Sequence, residues 1–189
     1  METIVTERLI LEDFRMDFLS DFYEYAKVEG VGEKAGWPHH ASLEESKKIL
    51  GSFLVSKENY AICDKKTGKC IGSLGVSEHS DLVQSFAFSH DFSSQRGIEL
   101  GYVLNKDYWG RGLMTEAVSK VIDFLFTKDK TDVLVIDHFD FNKASKRVIE
   151  KCGFHYWYTV KDKPIVQLNK HYDTLCYFLT KEEYLDNQK

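Results

Sequence analysis

Residues 98–118 read IELGYVLNKDYWGRGLMTEAV, and this stretch decides the fold. Its first seven residues are apolar except for Glu99, a pattern that predicts a buried strand. Gly110 and Gly112 then predict a turn, after which a helix begins. The helix is predicted because apolar residues recur at i, i+3, i+4, i+7, i+8 and i+11, on one face: Met114, Ala117, Val118, Val121, Ile122 and Leu125.

The next segments repeat the order of strand and helix. DVLVID, residues 132–137, has four consecutive apolar residues and predicts another buried strand. Asn142 is suited to cap the start of a helix that carries Val148 and Ile149, and Cys152-Gly153 is suited to end it. Strand, turn, helix, strand and helix make a βαβα unit, so part of the sheet is predicted to be parallel.

The flanking segments predict further strands and helices. Residues 8–14 are interpreted as a first strand, followed by a helix over about 18–26. A second helix begins after Ser42, which has Glu45 three residues later and so resembles a capping box. Residues 60–63 and 70–76 flank a turn and predict a hairpin. Residues 77–96 are either an irregular loop or a short strand, and two last strands are predicted near 154–160 and 174–179.

The length and composition indicate one folded domain with an acidic surface. The chain has 189 residues, of which 43% are hydrophobic, and a formal net charge of −5. We predict a single domain over 1–189, with a core over about 3–180 and a short polar tail. The hydrophobic fraction excludes global disorder, and the absence of a dense basic run argues against a nucleic-acid partner. A cationic or amine ligand fits this charge better.

Membrane and metal partners are not predicted either. Acidic and basic residues interrupt the N-terminal segment, and no apolar run reaches the roughly 18 residues of a membrane span. We therefore expect a cytoplasmic protein. The four cysteines, Cys63, Cys70, Cys152 and Cys176, include no C-x-x-C pair, and Asp137-His138-Phe139-Asp140 is interpreted as loop polarity, so we expect no metal site.

The glycines of YWGRGLMTEA favour an anion site at the start of the central helix. Small residues at Gly110 and Gly112 would let backbone N–H groups and the helix dipole face a phosphate. The alternative is an ordinary strand-to-helix turn. The motif is neither a Walker A loop, which needs G-x-x-x-x-G-K-[ST], nor a Rossmann fingerprint, since Thr115 stands where the third small residue belongs.

Three segments together resemble a known family. ELGYVLNKDYWGRGLMTEA (99–117) resembles the acyl-CoA-binding region of the GCN5-related N-acetyltransferases. NKASKRVIEKCGF (142–154) and TERLIL (6–11) are similar to segments of the branch that contains the ribosomal-protein N-terminal acetyltransferases. The resemblance implies a single α/β domain: a mixed, mostly antiparallel central sheet with a splayed parallel strand pair, and helices on both faces. It also implies acetyl-CoA as cosubstrate and no metal.

The resemblance assigns the residues that would bind acetyl-CoA. Backbone groups of Tyr102, Val103 and Leu104 would bind pantetheine and the acetyl carbonyl. The family motif Q/R-x-x-G-x-G/A falls on residues 109–114, so its first position is Trp and its last is Met, and the amides from Gly110 to Thr115 would hold the pyrophosphate. The assigned motif and its continuation are Trp109, Gly110, Arg111, Gly112, Leu113, Met114 and Thr115, and Asn142 would cap its helix and also contact pantetheine.

The sequence also offers candidates for the catalytic residues and for the acceptor pocket. Glu99 is the one acidic residue in the central apolar strand, so it is either the base for the amine or a structural ion-pair partner. Many relatives carry, at the position of Ile149, a tyrosine that protonates the departing thiolate. Because Ile149 has no hydroxyl, Ser145 is the candidate to hydrogen-bond the thiolate sulfur. Trp37 is expected to wall the acceptor pocket or to anchor the core.

Several functions remain open on this basis. The acceptor is expected to be a protein or peptide N-terminal α-amine, such as that of a ribosomal protein. A small-molecule amine, namely a polyamine, amino sugar or antibiotic, is the alternative within the fold, and a non-catalytic acyl-CoA-binding domain is the alternative outside catalysis. The chain is expected to act as a monomer or a homodimer.

Overall fold

A computed structural model of the chain describes residues 1–90 and 95–188. Eight strands form one sheet in the order β1-β2-β3-β4-β5-β6-β8-β7. The strands are β1 Ile4–Val5, β2 Leu9–Asp13, β3 Asn59–Asp64, β4 Cys70–Ser77, β5 Gly97–Leu104, β6 Val133–Phe139, β7 His155–Ile165 and β8 Lys170–Thr180. Every neighbouring pair is antiparallel except β5 and β6, which are parallel. The predicted mixed sheet with one parallel pair is confirmed.

In the described parts of the chain, six α-helices cover the sheet: α1 Leu19–Ala26, α2 Leu43–Ser56, α3 Asp81–His90, α4 Leu113–Thr127, α5 Lys143–Lys151 and α6 Lys181–Asp186. On one face, the apolar side of α4 packs with Leu9, Ile62 and Leu134 of the strands in one buried cluster. On the opposite face, α1 and α2 cover Ala61 and Cys63, and α3 covers Val133 and Val135. Because strand side chains alternate between faces, helices lie on both sides of the sheet, as predicted.

The central parallel pair is short. Pairing between β5 and β6 covers Gly97, Ile98 and Glu99 against Val133, Leu134 and Val135. Each strand continues beyond this point, β5 to Leu104 and β6 to Phe139. The two strands therefore diverge after Glu99 and leave an opening in the middle of the sheet, which is the splayed pair that the family resemblance implied.

Two predicted segments differ in the structure. The prediction of a loop or strand over 77–96 is wrong for Asp81–His90, which form α3, while residues 91–94 lie outside the described residues. The polar tail after residue 180 contains α6, which Thr180 and Glu183 begin with a reciprocal capping box. Its Tyr184 ring lies 5.2 Å from the Phe126 ring of α4, so this segment packs on the domain. Within the described residues, no helix has the length and apolarity to cross a membrane.

The structure confirms the predicted N-caps of α2 and α5 and the predicted glycine at the end of α5. Ser42 accepts a hydrogen bond from Glu45 N at 3.1 Å, which makes it the N-cap of α2. The Glu45 carboxylate accepts from Ala41 N rather than from Ser42 N, so the reciprocal bond of a capping box is shifted by one residue. Asn142 caps α5 through Ser145 N, and Gly153 follows that helix with φ of +86°.

Candidate active site

A cleft of about 460 Å³ opens where β5 and β6 diverge. Its walls come from four places: the turn at Gly32–Ala35 with Val31, the open part of β5, the segment from Tyr108 to the first turn of α4, and the start of α5 with the end of β6. Of the residues assigned from the sequence, all line this cleft except Trp37 and Arg111. The fold therefore brings together segments as far apart in the chain as Val31 and Lys151.

The glycine turn forms one end of the cleft. Gly110 and Gly112 have φ of +73° and +75°, a left-handed conformation that glycine adopts without strain. The first backbone bond of α4 runs from Glu116 N to Gly112 O at 3.1 Å. The amides of Leu113, Met114 and Thr115 thus precede the first helical hydrogen bond and carry the positive end of the helix dipole. This arrangement suits an anion such as a phosphate.

Trp109 builds the wall between this turn and β5. Its Nε1 donates to the Leu104 carbonyl at 2.7 Å, and the Lys34 ammonium lies 4.3 Å from the centre of its ring. The Arg111 side chain, in contrast, donates to Asp107 O at 2.6 Å and lies 5.1 Å from the centre of the Tyr108 ring. Arg111 is not among the residues that line the cleft.

The open edge of β5 presents alternate backbone groups to the cleft. Asn105 N donates to Ile71 O of β4 at 2.7 Å, and the Val103 carbonyl is directed at Gly72 of the same strand. Since N–H and C=O groups alternate in direction along a strand, those of Tyr102 and Leu104 face the side where β6 has diverged. The Leu104 carbonyl is taken by Trp109, so Tyr102 offers the open pair of backbone groups, and Val103 contributes the lining.

A hydroxyl pair lies where β5 meets the start of α5. The Tyr102 hydroxyl is 2.9 Å from Ser145 Oγ and 3.2 Å from the Ser145 carbonyl, which accepts from it. Burial raises the pKa of Tyr102, although the hydrogen bond with Ser145 acts in the opposite direction. Asn142 holds Ser145 in place, because its Oδ1 accepts from Ser145 N at 3.2 Å. Ile149, at the position of the family tyrosine, is fully buried.

Glu99 lies at the point where the strands diverge, on the face of the sheet opposite Tyr102. Burial raises the pKa of Glu99, a hydrogen bond with Ser80 lowers it, and the charge of Asp137 raises it further. Asp137 in turn forms an ion pair with Lys163 Nζ at 3.1 Å. A carboxylate whose pKa is raised is a stronger base than an exposed one, which suits a proton acceptor in a cleft.

Asp137 and Lys163 are neighbours of Glu99 that the sequence interpretation missed. Its interpretation of residues 137–140 as loop polarity is wrong for Asp137, His138 and Phe139, which belong to β6. Asp137 lies two residues beyond the last β5-paired position of β6, and so on the same face as Glu99. Lys163 reaches it from β7, after an irregularity between Val160 and Lys163 that shifts the register of the hairpin. Alternation along β6 could have indicated Asp137, whereas the position of Lys163 depends on a bulge that composition does not reveal.

His138 also lines the cleft, with both ring nitrogens engaged. Its Nδ1 donates to the Phe139 carbonyl at 2.7 Å, and its Nε2 lies 3.2 Å from the Tyr177 hydroxyl. Because a carbonyl can only accept, Nε2 of the neutral ring is the acceptor for Tyr177. Burial lowers the pKa of His138, so the structure favours a neutral, fixed imidazole.

Trp37 packs behind the cleft. Its ring lies directly on Gly32, where any Cβ atom would collide with it, and 5.1 Å from the His40 ring. The side chains from this segment that do reach the cleft belong to Val31, Lys34 and Ala35. The Asn142 amide donates to the Lys34 carbonyl at 3.2 Å and so ties this turn to α5.

Comparisons with known proteins agree with this geometry. A family model described as an acetyltransferase (GNAT) domain matches residues 8–155. The chain is 31% identical over 104 residues to the uncharacterized protein YkkB of Bacillus subtilis, an alignment that spans about half of each chain, 54%. It is 23% identical over 176 residues to the uncharacterized N-acetyltransferase YoaA of Bacillus subtilis, covering 93% of this chain and 95% of that protein.

Solved structures share the fold over nearly the whole chain. A GNAT-family acetyltransferase from Bacillus anthracis superposes with a TM-score of 0.81 at 19% identity, covering 96% of this chain and 100% of that one. RimL, a ribosomal L7/L12 alpha-N-protein acetyltransferase solved in complex with coenzyme A, superposes with a TM-score of 0.76 at 17% identity, covering 96% of this chain and 99% of that one. Since the family model covers well over half of the sequence, the chain belongs to the GNAT acetyltransferase family.

Proposed function

We propose that the protein is an acetyl-CoA-dependent N-acetyltransferase of the ribosomal-protein N-terminal branch, which transfers acetyl to a primary amine. The observation that carries this proposal is the cleft itself. An open backbone edge on β5 runs from a carboxylate, Glu99, toward the glycine turn at Gly110–Thr115, where α4 begins. One continuous site can thus bind an extended ligand that has a reactive carbonyl at one end and phosphates at the other.

The residues present fit acetyl-CoA. The amides at Gly110, Gly112, Leu113, Met114 and Thr115 suit the pyrophosphate, because helix N-termini bind anions. The open backbone groups of Tyr102 suit an amide-containing chain such as pantetheine, with Val103, Leu104, Trp109 and Asn142 as walls. Lys34, Arg147 and Lys151 also line the cleft and add positive charge toward the phosphates.

The proposed chemistry is direct transfer. The neutral amine nitrogen bonds to the acetyl carbon, the carbon–sulfur bond breaks, and the thiolate leaves. Glu99 accepts the proton that the amine loses, which its position in the cleft and its raised pKa both support. Ser145, whose Oγ shares a hydrogen bond with the Tyr102 hydroxyl, is positioned to interact with the thiolate. Lys163 balances the charge of Asp137 beside Glu99.

We propose a protein or peptide N-terminal α-amine as the acceptor. An α-amine has a pKa near 8, so an appreciable fraction is neutral at pH 7, whereas a lysine side chain near 10.4 is almost fully protonated. The carboxylates of Glu99 and Asp137 would attract either. Two solved structures with this fold, RimL and the ribosomal-protein-S5-alanine acetyltransferase of Vibrio fischeri, are named for ribosomal-protein acceptors. A cytoplasmic location would follow from such an acceptor.

A small-molecule acceptor is the second candidate. The microcin C7 self-immunity acetyltransferase MccE, solved with acetyl-CoA and AMP, shares the fold with a TM-score of 0.74 at 16% identity. The acidic pair at the acceptor end would suit a polyamine or an amino sugar as well as a peptide.

The test is a mixed acceptor screen that follows release of the CoA thiol. Peptides with free N-terminal Ala or Ser are compared with the same peptides blocked at the N-terminus but carrying an internal lysine, and with polyamines and amino sugars. We expect turnover only with free α-amines. If small amines were acetylated and the peptides were inert, the peptide acceptor would be wrong while the transferase proposal stood. Absence of turnover with every amine, despite acetyl-CoA binding, would favour a non-catalytic binding domain.

A further inference from the structure

Arg8, in the TERLIL segment at the start of the sheet, contacts the glycine turn from outside the cleft. We propose that Arg8 is a positioning residue that fixes the phosphate loop, defined here as Gly110–Thr115, in the orientation that binds the pyrophosphate. The inference rests on the proposed use of acetyl-CoA. Arg8 lies more than a hundred residues from the loop in sequence, so its role is visible only in the folded chain.

Glu116 anchors the Arg8 side chain. One carboxylate oxygen of Glu116 accepts from Thr6 Oγ1 at 2.5 Å and from Arg8 N at 2.8 Å. The other accepts from Arg8 Nε at 2.7 Å. Glu116 belongs to the first turn of α4, next to the phosphate loop. These three bonds clamp the β1–β2 turn onto the helix and set the direction of the guanidinium group.

The rest of the guanidinium group then reaches the loop. Arg8 Nη1 donates to the Arg111 carbonyl at 3.0 Å, and a Cβ atom at Gly112 would lie 3.7 Å from Arg8 Nη2. In a trans peptide the C=O and the following N–H point in opposite directions, and none of the described peptide bonds is cis. By holding the Arg111 oxygen outside the cleft, Arg8 directs the Gly112 N–H toward the opposite side, where Gly112 lines the cleft.

A glycine turn needs this external constraint. Gly110 and Gly112 flank Arg111, and glycine accepts both signs of φ at little cost. Rotation of the peptide between Arg111 and Gly112 would replace an N–H donor with a carbonyl oxygen, which repels a phosphate. Fixing the peptide before the ligand arrives removes that ordering cost from binding. Arg8 therefore raises affinity without touching the reacting atoms.

The test compares two arginines of similar exposure. Arg8 and Arg15 are 47% and 49% exposed, and both form ion pairs, but Arg15 pairs with Glu12 and contacts the Phe18 ring. The variants are Arg8→Met, Arg8→Lys and the control Arg15→Met. Calorimetry measures the Kd of CoA, and steady-state kinetics compares acetyl-CoA with acetyl-pantetheine, which lacks the pyrophosphate. Circular dichroism confirms that each variant is folded.

We expect Arg8→Met to raise the Kd of CoA by about tenfold to a hundredfold, the range for losing a hydrogen bond to a charged group. The ratio of kcat/KM for acetyl-CoA to that for acetyl-pantetheine should fall by a similar factor. Arg8→Lys should recover only part of the loss, because an ammonium cannot form the forked contact to Glu116 and Arg111. Arg15→Met should leave both measurements near wild type.

Two results would overturn the role of Arg8 and leave the proposed function intact. One is an unchanged Kd in Arg8→Met. The other is an equal fall in kcat/KM with both acetyl donors, which would indicate general structural damage. If the wild-type protein itself failed to bind CoA, the proposed function would be wrong, and the role of Arg8 with it.

Discussion

Glu99 illustrates how position gives a common side chain its chemistry. Its carboxyl sits where the parallel strands diverge, and burial raises its pKa above the ordinary 4.5. A base works in its unprotonated form, so activity should increase as the pH rises through this pKa. Because the pKa is raised, that increase should occur at higher pH than for an exposed glutamate.

Glu99→Gln tests this assignment. We expect turnover to fall by about 10²- to 10⁴-fold at neutral pH. The lower inflection of the pH–rate profile should disappear, while the inflection of the acceptor α-amine near pH 8 should remain. Glu12→Gln, which alters a partly exposed carboxylate of β2, serves as the control and should retain both inflections. A Glu99→Gln enzyme with the wild-type profile would show that another group takes the proton.

Gly112 can be separated from glycines that have only a structural role. Gly112→Ala and Gly68→Ala each place a side chain at a left-handed position, φ +75° and +72°. Each should cost about 1 kcal/mol of stability. Only Gly112→Ala should weaken CoA binding, by about tenfold or more if one charge-assisted hydrogen bond is lost. Calorimetry on both variants measures this, and equal Kd values would remove the glycine turn from the binding site.

Substitutions at Ser145 and Tyr102 test whether these hydroxyls assist departure of the thiolate. We expect Ser145→Ala to slow acetyl transfer by less than about tenfold, because a thiol with a pKa near 8.5 is already a good leaving group. Tyr102→Phe removes the hydroxyl that shares the Ser145 hydrogen bond and should reproduce part of this effect. Single-turnover kinetics provides the measurement. If neither variant changes the rate of transfer, solvent protonates the thiolate.

At the scale of elements, α5 depends on Asn142 in two ways. The Asn142 Oδ1 caps the helix, and its Nδ2 ties the turn at Gly32–Ala35 to it. Asn142→Ala should lower the free energy of unfolding by about 1 kcal/mol, the usual cost of losing an N-cap. Asn142→Asp keeps the cap acceptor and removes the donor, so it should remain close to wild type. Urea unfolding measures the stability of both variants. If Asn142→Asp lost as much stability as Asn142→Ala, the loss would come from the hydrogen bond of Nδ2 to the Lys34 carbonyl and not from the helix cap.

The elements also show what the sequence could and could not predict. The central helix α4 was predicted because its apolar residues repeat on one face and are buried together. The helix α3 was missed because its apolar residues do not form one face: Phe86 is buried, whereas Phe88 is 93% exposed. Its burial depends on distant strands, since the Phe86 ring packs 5.1 Å from Trp157 and 5.2 Å from Phe178. The Thr180-x-x-Glu183 signature of α6 was present and could have been read.

The candidate site also has a part that the sequence could predict and a part that it could not. The glycine turn and the N-cap of α5 depend on adjacent residues, so local patterns predicted them. The contact of Lys163 with Asp137 and that of Arg8 with Arg111 depend on strand register and on packing between remote segments. Trp37 was expected either at the acceptor wall or as a core anchor. The lack of a side chain at Gly32 lets its ring pack against the turn, beside the buried cluster that α1 and α2 form, which agrees with the second alternative.

At the scale of the whole molecule, ligand binding should stabilise the fold. A ligand that binds only the folded state at 100 times its Kd adds about 2.7 kcal/mol. For a domain of this size each kcal/mol shifts Tm by about 2–4 °C, so we expect a rise of roughly 5–10 °C with CoA. A thermal melt over a range of CoA concentrations measures the shift. A constant Tm at concentrations that saturate the protein in calorimetry would contradict binding to the native cleft.

The divergence of β5 and β6 after Glu99 has a further consequence for self-association. Unpaired strand edges on a protein surface are templates for pairing with other chains and so for aggregation. Here the free edges face each other inside the sheet, with α5 and the turn at Gly32–Ala35 beside them. We infer that a strand from a second molecule would have to displace those elements to pair along this edge, whereas a ligand chain as narrow as pantetheine would not. We therefore expect the edge of β5 beyond Glu99 to stay free to bind ligand between turnovers. We also expect it to be protected from pairing with a strand of another molecule.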